Sequence, residues 1–254
     1  LPGFILVFLY ATWIFIYSKF FPKQIPALPN KGNHKINNYT IFKLIIAPLF
    51  LILLVLGSIL FGIATPSESA ALGAVGATFI SFYQKKLNFE NLKKVADESL
   101  KITSMVFFIL IGASLFSLVF RGYGGDRLVE DFLTNIPGGP NFSLFLVMIT
   151  IFFLGFFLDF LEIIFVIIPI IAPALISLGF DPVWLGIIIA VNIQTSFLTP
   201  PFGFALFYLR GVAKKTIRTE EIYRGVIPFI FLQITLMIIL FKFPIIVKWL
   251  PDLL

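Results

Sequence analysis

Residues 184–209 read WLGIIIAVNIQTSFLTPPFGFALFYL. The stretch is long enough to cross a bilayer and carries no charge, yet Thr199, Pro200, Pro201 and Gly203 interrupt it, with Asn192, Gln194, Thr195 and Ser196 just upstream. Two prolines remove two backbone donors and push the residue before them out of helical geometry. In hydrocarbon the carbonyls so released must find partners, so irregular backbone at membrane depth lines a polar cavity or an ion site instead of facing lipid. The sequence therefore predicts an all-α polytopic membrane protein with a discontinuous helix on a transport pathway.

The composition agrees. The chain has 254 residues, of which 59% are hydrophobic and 13% charged, with 33 Phe. That excludes a soluble domain with a single apolar helix. The net charge of +6 is not a nucleic-acid signal, because the basic residues cluster in loops between spans. With no cysteine and a single histidine, His34, in a polar loop, disulfides, thiolate chemistry, a His-based metal site and a catalytic triad are not expected. The opening Leu1-Pro2-Gly3 runs straight into an apolar span, which predicts a piece of a longer protein.

Working outward, Gly3–Phe20, Leu44–Ile63 and Ser67–Tyr83 read as spans. The third is rich in small residues that allow close helix approach in lipid. Thr65, Pro66 and Glu68 form a helix-start signal with a capping box. Residues 88–101 read as an amphipathic helix on the membrane surface, followed by a span over 102–120 with Gly112-Ala113-Ser114 near its middle. The arm 128–136 is too short to cross alone, so 102–136 reads as a re-entrant helical hairpin with Arg121 and Arg127 at its tip. Phe142–Leu178 is too long for one span, and a break is expected near Gly155–Glu162. A last span is expected from Val226 to about Val247.

Each of the loops 19–43, 85–101 and 210–224 holds five Lys or Arg residues, whereas 179–182 holds none. The positive-inside rule places those three loops in the cytoplasm.

Two constellations are chemically suggestive. The hydroxyls of Thr195, Ser196 and Thr199, the Asn192 amide and the carbonyls released at Pro200 offer neutral oxygens of the kind a hard cation takes; the competing reading is a packed proline kink. Asp159 and Glu162, three residues apart, share a helical face and are the only charges in residues 142–180. Ligating a cation, carrying a proton, pairing with Arg121 or Arg127, and capping a half-helix all remain open for them. Gly112 and Ser114 are candidates for a hairpin site or a tight helix contact. An acid–base enzyme built on Asp159 and Glu162 lacks a nearby His, nucleophile motif or metal cluster.

Taken together, GIATPSESAALGAVGA (62–77), ILIGASLFSLVF (109–120), FLGFFLDFLEIIFVIIPIIAP (153–173), the run from Leu178 to Ala213, and IYRGVIPF (222–229) resemble the large membrane (permease) subunit of tripartite ATP-independent periplasmic (TRAP) transporters, in its C-terminal portion. The resemblance implies a bacterial inner-membrane secondary transporter with an elevator-type fold, of which this chain is one half. Residues 1–101 would supply scaffold-like spans and an interfacial helix, 102–213 a transport-domain-like hairpin and broken helices, and 214–254 a C-terminal span. It further implies a sodium coupling ion, no organic cofactor, a small four-helix membrane subunit, and a periplasmic substrate-binding protein delivering an organic anion. The substrate would be a 2-oxo or hydroxy monocarboxylate or a C4-dicarboxylate. Gly155, Asp159, Glu162, Asn192, Thr195, Ser196, Thr199, Pro200, Pro201, Gly203, Gly112 and Ser114 would contribute to substrate and ion sites, with Thr195, Ser196 and Thr199 on sodium. A proton-coupled carrier using Asp159 or Glu162 and a non-transporting scaffold subunit are the alternatives.

Overall fold

The computed structural model describes residues 1–22, 38–200, 203–213 and 217–251. His34 and the basic residues from Lys23 to Lys35 lie outside the described residues, as do Pro201, Lys214 and Lys215. Every regular element among the described residues is helical. Four stretches are long and apolar enough to cross a membrane: Pro2–Phe20, Phe89–Gly122, Phe160–Ser177 and Thr219–Lys242. The chain divides into two compact units, residues 27–104 and residues 1–26 with 105–254.

In the smaller unit, α2 (Asn38–Leu60) and α3 (Pro66–Tyr83) pack antiparallel. The side-chain register shows why. Ser58 Oγ and Ser69 Oγ share a buried hydrogen bond of 2.8 Å, a Cβ on Gly73 would lie 3.2 Å from Val55, and one on Gly76 would collide with Leu51. The small face of α3 thus admits the bulky face of α2, which in lipid is where van der Waals attraction is gained. The expected capping box is present. Glu68 Oε2 accepts from Thr65 N at 2.7 Å, and Thr65 Oγ1 accepts from Glu68 N at 3.3 Å.

The predicted surface helix and the span after it are one uninterrupted helix, α4 (Phe89–Gly122, 34 residues). No glycine or proline lies between Phe89 and Ile111 to end it, so the change from amphipathic to apolar composition passes without a break.

The larger unit is built around α9 (Pro182–Leu198), which buries Trp184, Leu185, Ile188, Ile189 and the polar Asn192, Thr195 and Ser196. Against it pack α6 (Gly139–Leu154), α10 (Phe204–Val212), α11 (Thr219–Lys242) and α12 (Ile245–Lys248), while α1 (Pro2–Phe20) packs on α11. Trp184 Nε1 donates to Leu240 O at 3.0 Å, which sets α9 and α11 antiparallel. Asp181 caps α9, accepting from Trp184 N at 2.9 Å, and pairs with Lys248 Nζ at 2.7 Å. The Lys248 ammonium, helped by the Trp184 and Val183 N–H groups, holds the Asp181 carboxyl below its ordinary value. A carboxyl lowered on folding stabilises the fold above its ordinary pKa, and that contribution is lost as pH falls through the lowered value. The tether of α12 to α9 is therefore intact at neutral pH and loosens only in acid.

The hairpin is not where the sequence placed it. The short arm is α5 (Gly125–Asn135), and it packs against α6 and α8 (Ile168–Ser177), not along α4. Ser143 Oγ donates to Leu133 O at 2.6 Å. The stretch read as one long broken helix turns back on itself. Val147 and Ile151 of α6 share a cleft with Ile171 and Ile167, and Asn141 at the start of α6 lines a pocket with Gly179 and Phe180 beyond the end of α8. Residues 139–177 are therefore the helical hairpin, with its tip at Gly155–Asp159. The first arm, α6, is 16 residues long and rises about 24 Å, short of a hydrocarbon core of about 30 Å. The length of the short arm showed that it does not cross alone but not which neighbour it packs on, and nothing like a proline marks the reversal after Gly155.

The cysteine-free chain allows a direct test. Asn135→Cys and Val183→Cys flank the hairpin, so an impermeant maleimide is expected to label both from the same side of sealed vesicles. Labelling from opposite sides would restore 139–177 as a crossing.

Candidate functional site

The first break begins where α6 ends. Gly155 N bonds Ile151 O at 2.9 Å, and Leu158 N bonds Leu154 O at 2.8 Å. Asp159 then adopts extended backbone and starts α7 (Phe160–Glu162). Its Oδ1 accepts from Phe160 N at 2.7 Å, and Glu162 Oε2 accepts from Asp159 N at 3.3 Å. Of the roles left open for these two carboxylates, capping is the one the geometry shows; among the described residues neither pairs with Arg121 or Arg127. A π-helical turn, Ile163–Ile167, joins α7 to α8. Its physical cause is Pro169, which lacks an N–H and crowds the carbonyl four residues back, so the backbone widens by one residue.

The second break ends α9. Thr199 N bonds Ser196 O at 3.0 Å, and Thr199 itself is extended, as the residue before a proline must be. Gly203 N returns to Thr199 O at 3.2 Å before α10 begins. The hydroxyls upstream share one habit. Thr195 Oγ1 donates to Val191 O at 2.7 Å, Ser196 Oγ to Ile193 O at 2.7 Å and Thr199 Oγ1 to Thr195 O at 2.8 Å. Each hydroxyl spends its single proton on its own helix, which leaves the oxygen lone pairs free to accept or to ligate a cation.

The two breaks meet. A Cβ on Gly155 would collide with Ser196 Oγ and lie 2.7 Å from Ser196 Cβ. One turn back, Asn192 Nδ2 donates to Met148 O at 2.7 Å, tying α9 to the backbone of α6. Phe160 and Phe197 add an edge-to-face contact at 5.8 Å. Gly155, Asn192, Thr195 and Ser196 are buried, whereas Asp159, Glu162, Thr199 and Pro200 are half-buried. Gly155, Asp159 and Glu162 on the hairpin tip and Asn192, Thr195, Ser196, Thr199, Pro200 and Gly203 on the interrupted helix thus come from two elements 30 to 48 residues apart in sequence. Pro201 lies outside the described residues.

Gly112 and Ser114 do not join this cluster. Nothing lies within 4 Å of a Cβ at Gly112, and Ser114 Oγ donates to Leu110 O at 2.8 Å on an exposed face. Ser114 instead lines a groove of about 310 Å³ with Ser117 and Arg121, facing Phe165 of the π turn. Ser117 and Arg121 follow Ser114 at the three- and seven-residue spacing of one helix face, a signal legible in the sequence and not used there. The Met148 carbonyl and Phe197 had no such signal.

A helical hairpin whose tip touches an interrupted helix, beside helices of membrane length, defines a polytopic helical membrane protein with polar groups gathered at its breaks. The chain belongs to the family of the tripartite ATP-independent periplasmic transporter, DctM component, whose model matches residues 1–246. It is 33% identical over 209 residues to the C4-dicarboxylate TRAP transporter large permease protein of Rhodobacter capsulatus, covering 81% of this chain and 47% of that protein. It is 26% identical over 253 residues to the ectoine TRAP transporter large permease protein of Halomonas elongata, covering 99% and 58%. It is also 26% identical over 201 residues to the sialic acid TRAP transporter large permease protein of Vibrio cholerae, covering 79% and 47%. The chain spans about half the length of the curated relatives it matches. Its assignment to their C-terminal portion rests on the motifs alone. These relatives are transporter permeases and not enzymes, and their named substrates differ in charge and size.

Gly155→Ala is expected to destabilise the protein by about 1–3 kcal/mol, the usual cost of overpacking, read as a fall in melting temperature in detergent. Ser196→Gly in the same chain should recover most of that loss, because it removes both colliding atoms. Independent, additive effects would show that the contact is not what couples the breaks.

Proposed function

We propose that the chain is part of the large membrane subunit of a sodium-coupled, binding-protein-dependent carrier that imports a small organic carboxylate across the bacterial inner membrane. The observation that carries this reading is the contact of Gly155 with Ser196, which puts a hairpin tip and an interrupted helix at one place. Sodium is taken by the free lone pairs of Thr195, Ser196 and Thr199, with the carbonyl of Pro200 completing the shell. Asp159 and Glu162 hold the hairpin tip in shape and set the local charge. The substrate carboxylate is held by the Arg121 guanidinium, a fork matched to carboxylates, in the groove it shares with Ser114 and Ser117. The substrate class is a 2-oxo or hydroxy monocarboxylate or a C4-dicarboxylate, and a periplasmic binding protein delivers it. A small four-helix membrane subunit is the other partner.

In this reading residues 102–213 carry the site and move, residues 1–101 are scaffold-like, and 214–254 form the C-terminal span. The loops 19–43, 85–101 and 210–224 are cytoplasmic. Moving the hairpin from 102–136 to 139–177 leaves that assignment intact, because one re-entrant segment still stands between the basic loop 85–101 and the uncharged loop 179–182.

The test is uptake by proteoliposomes holding the complete large subunit, its small partner and the cognate binding protein, offered 2-oxo acids, hydroxy acids and C4-dicarboxylates. Uptake is expected to require both the binding protein and an inward sodium gradient. Thr199→Ala should raise the sodium needed for half-maximal uptake about tenfold, the equivalent of about 1.4 kcal/mol, while Thr199→Ser stays near wild type. Arg121→Gln should raise the substrate requirement and leave the sodium requirement alone. Asp159→Asn should retain uptake, because asparagine caps a helix as well as aspartate does. Uptake driven by a pH gradient without sodium, and abolished by Asp159→Asn, would overturn sodium coupling in favour of a proton carrier.

A further inference from the structure

We propose that the groove between α6, α9 and α11 binds one acyl chain of an anionic phospholipid whose phosphate rests on Lys242. The groove measures about 360 Å³ and is walled by apolar side chains, among them Leu144, Met148, Ile188 and Met237; its two polar lining residues are Asn141 and Lys242. Both stand where their helices end, Asn141 in the first turn of α6 and Lys242 at the last residue of α11. The other end of the groove is reached at Ile234, eight residues back along α11, a depth of about 12 Å. A channel with a polar mouth and an apolar shaft fits a lipid, head at the mouth and chain in the shaft.

The mouth lies at a membrane interface. Phe241 lines it and Trp184 packs on Phe241 at 6.1 Å between ring centres, the kind of aromatic residues found at the headgroup level. Charge complementarity then selects the headgroup. Lys248, the neighbouring cation, is already paired with Asp181 at 2.7 Å. Among the described residues Lys242 has no acidic partner, and its ammonium is free for a phosphate. A cation at the mouth of a cleft between membrane helices can hold a lipid phosphate through a charge-assisted hydrogen bond. An apolar helix of a partner subunit would fill the shaft equally well but would leave that ammonium unmatched. An empty groove would leave its walls without dispersion partners.

The experiment is native mass spectrometry of the full-length transporter, extracted in mild detergent and offered phosphatidylglycerol or phosphatidylcholine. Wild type is expected to retain one phosphatidylglycerol in preference to phosphatidylcholine. Lys242→Gln should lose that preference about fivefold, the equivalent of about 1 kcal/mol, while still retaining some lipid of either kind. Met237→Trp fills the shaft and should abolish retention of both lipids; Ile188→Phe does the same with less bulk if the first variant fails to fold. A diazirine-bearing phosphatidylglycerol should label the segments 141–148 and 234–242. Equal retention by wild type and both groove-filled variants would overturn the proposal, as would labelling elsewhere, no preference for the anionic lipid, or a crosslink from Phe145 to another subunit in place of lipid.

Discussion

The structure of the larger unit depends on how closely Gly155 approaches Ser196. Two interrupted segments can share one polar site only if their backbones come within a side chain's width. Gly155 makes this possible by having no Cβ, and Ser196 by being small and by turning its hydroxyl back onto Ile193. Asn192 then fixes the register, because its amide has one partner within reach, the Met148 carbonyl. A buried amide that loses its partner is costly in any protein and more so in lipid. Packing thus sets the distance between the two elements, and one hydrogen bond sets their offset.

Polar groups in the membrane are handled here by local means. The hydroxyls of α9 donate to their own helix, Asp159 and Glu162 satisfy amides at the start of α7, and a π turn precedes Pro169. The capacity left over is acceptor capacity: oxygens with lone pairs and no remaining proton to give. A site with spare acceptors and few spare donors favours a cation over an anion. The Arg121 guanidinium lies apart from these oxygens, in the groove facing the π turn.

The sequence by itself determined that the chain is helical, that it lives in a membrane, and that its helices break near Gly155–Glu162 and Thr199–Gly203. Those are local matters. Hydrophobic length, proline without an N–H, a capping residue followed three positions later by an acid, and small residues at helical spacing each act within a few residues of where they are written. The Thr65–Glu68 start of α3 and the extended Thr199 before Pro200 show it. Tertiary structure alone decided which segments meet. The shortness of the arm 128–136 was legible, but α4, α6 and α8 are all apolar enough to receive it, and in a lipid environment no burial preference separates them. Shape decided instead, and α5 went to α6 and α8, which made 139–177 the hairpin and left Gly112 facing open space. The same holds for Asp159 and Glu162: their three-residue spacing announced a shared face, and only the reversal after Gly155 turned that face into a helix cap.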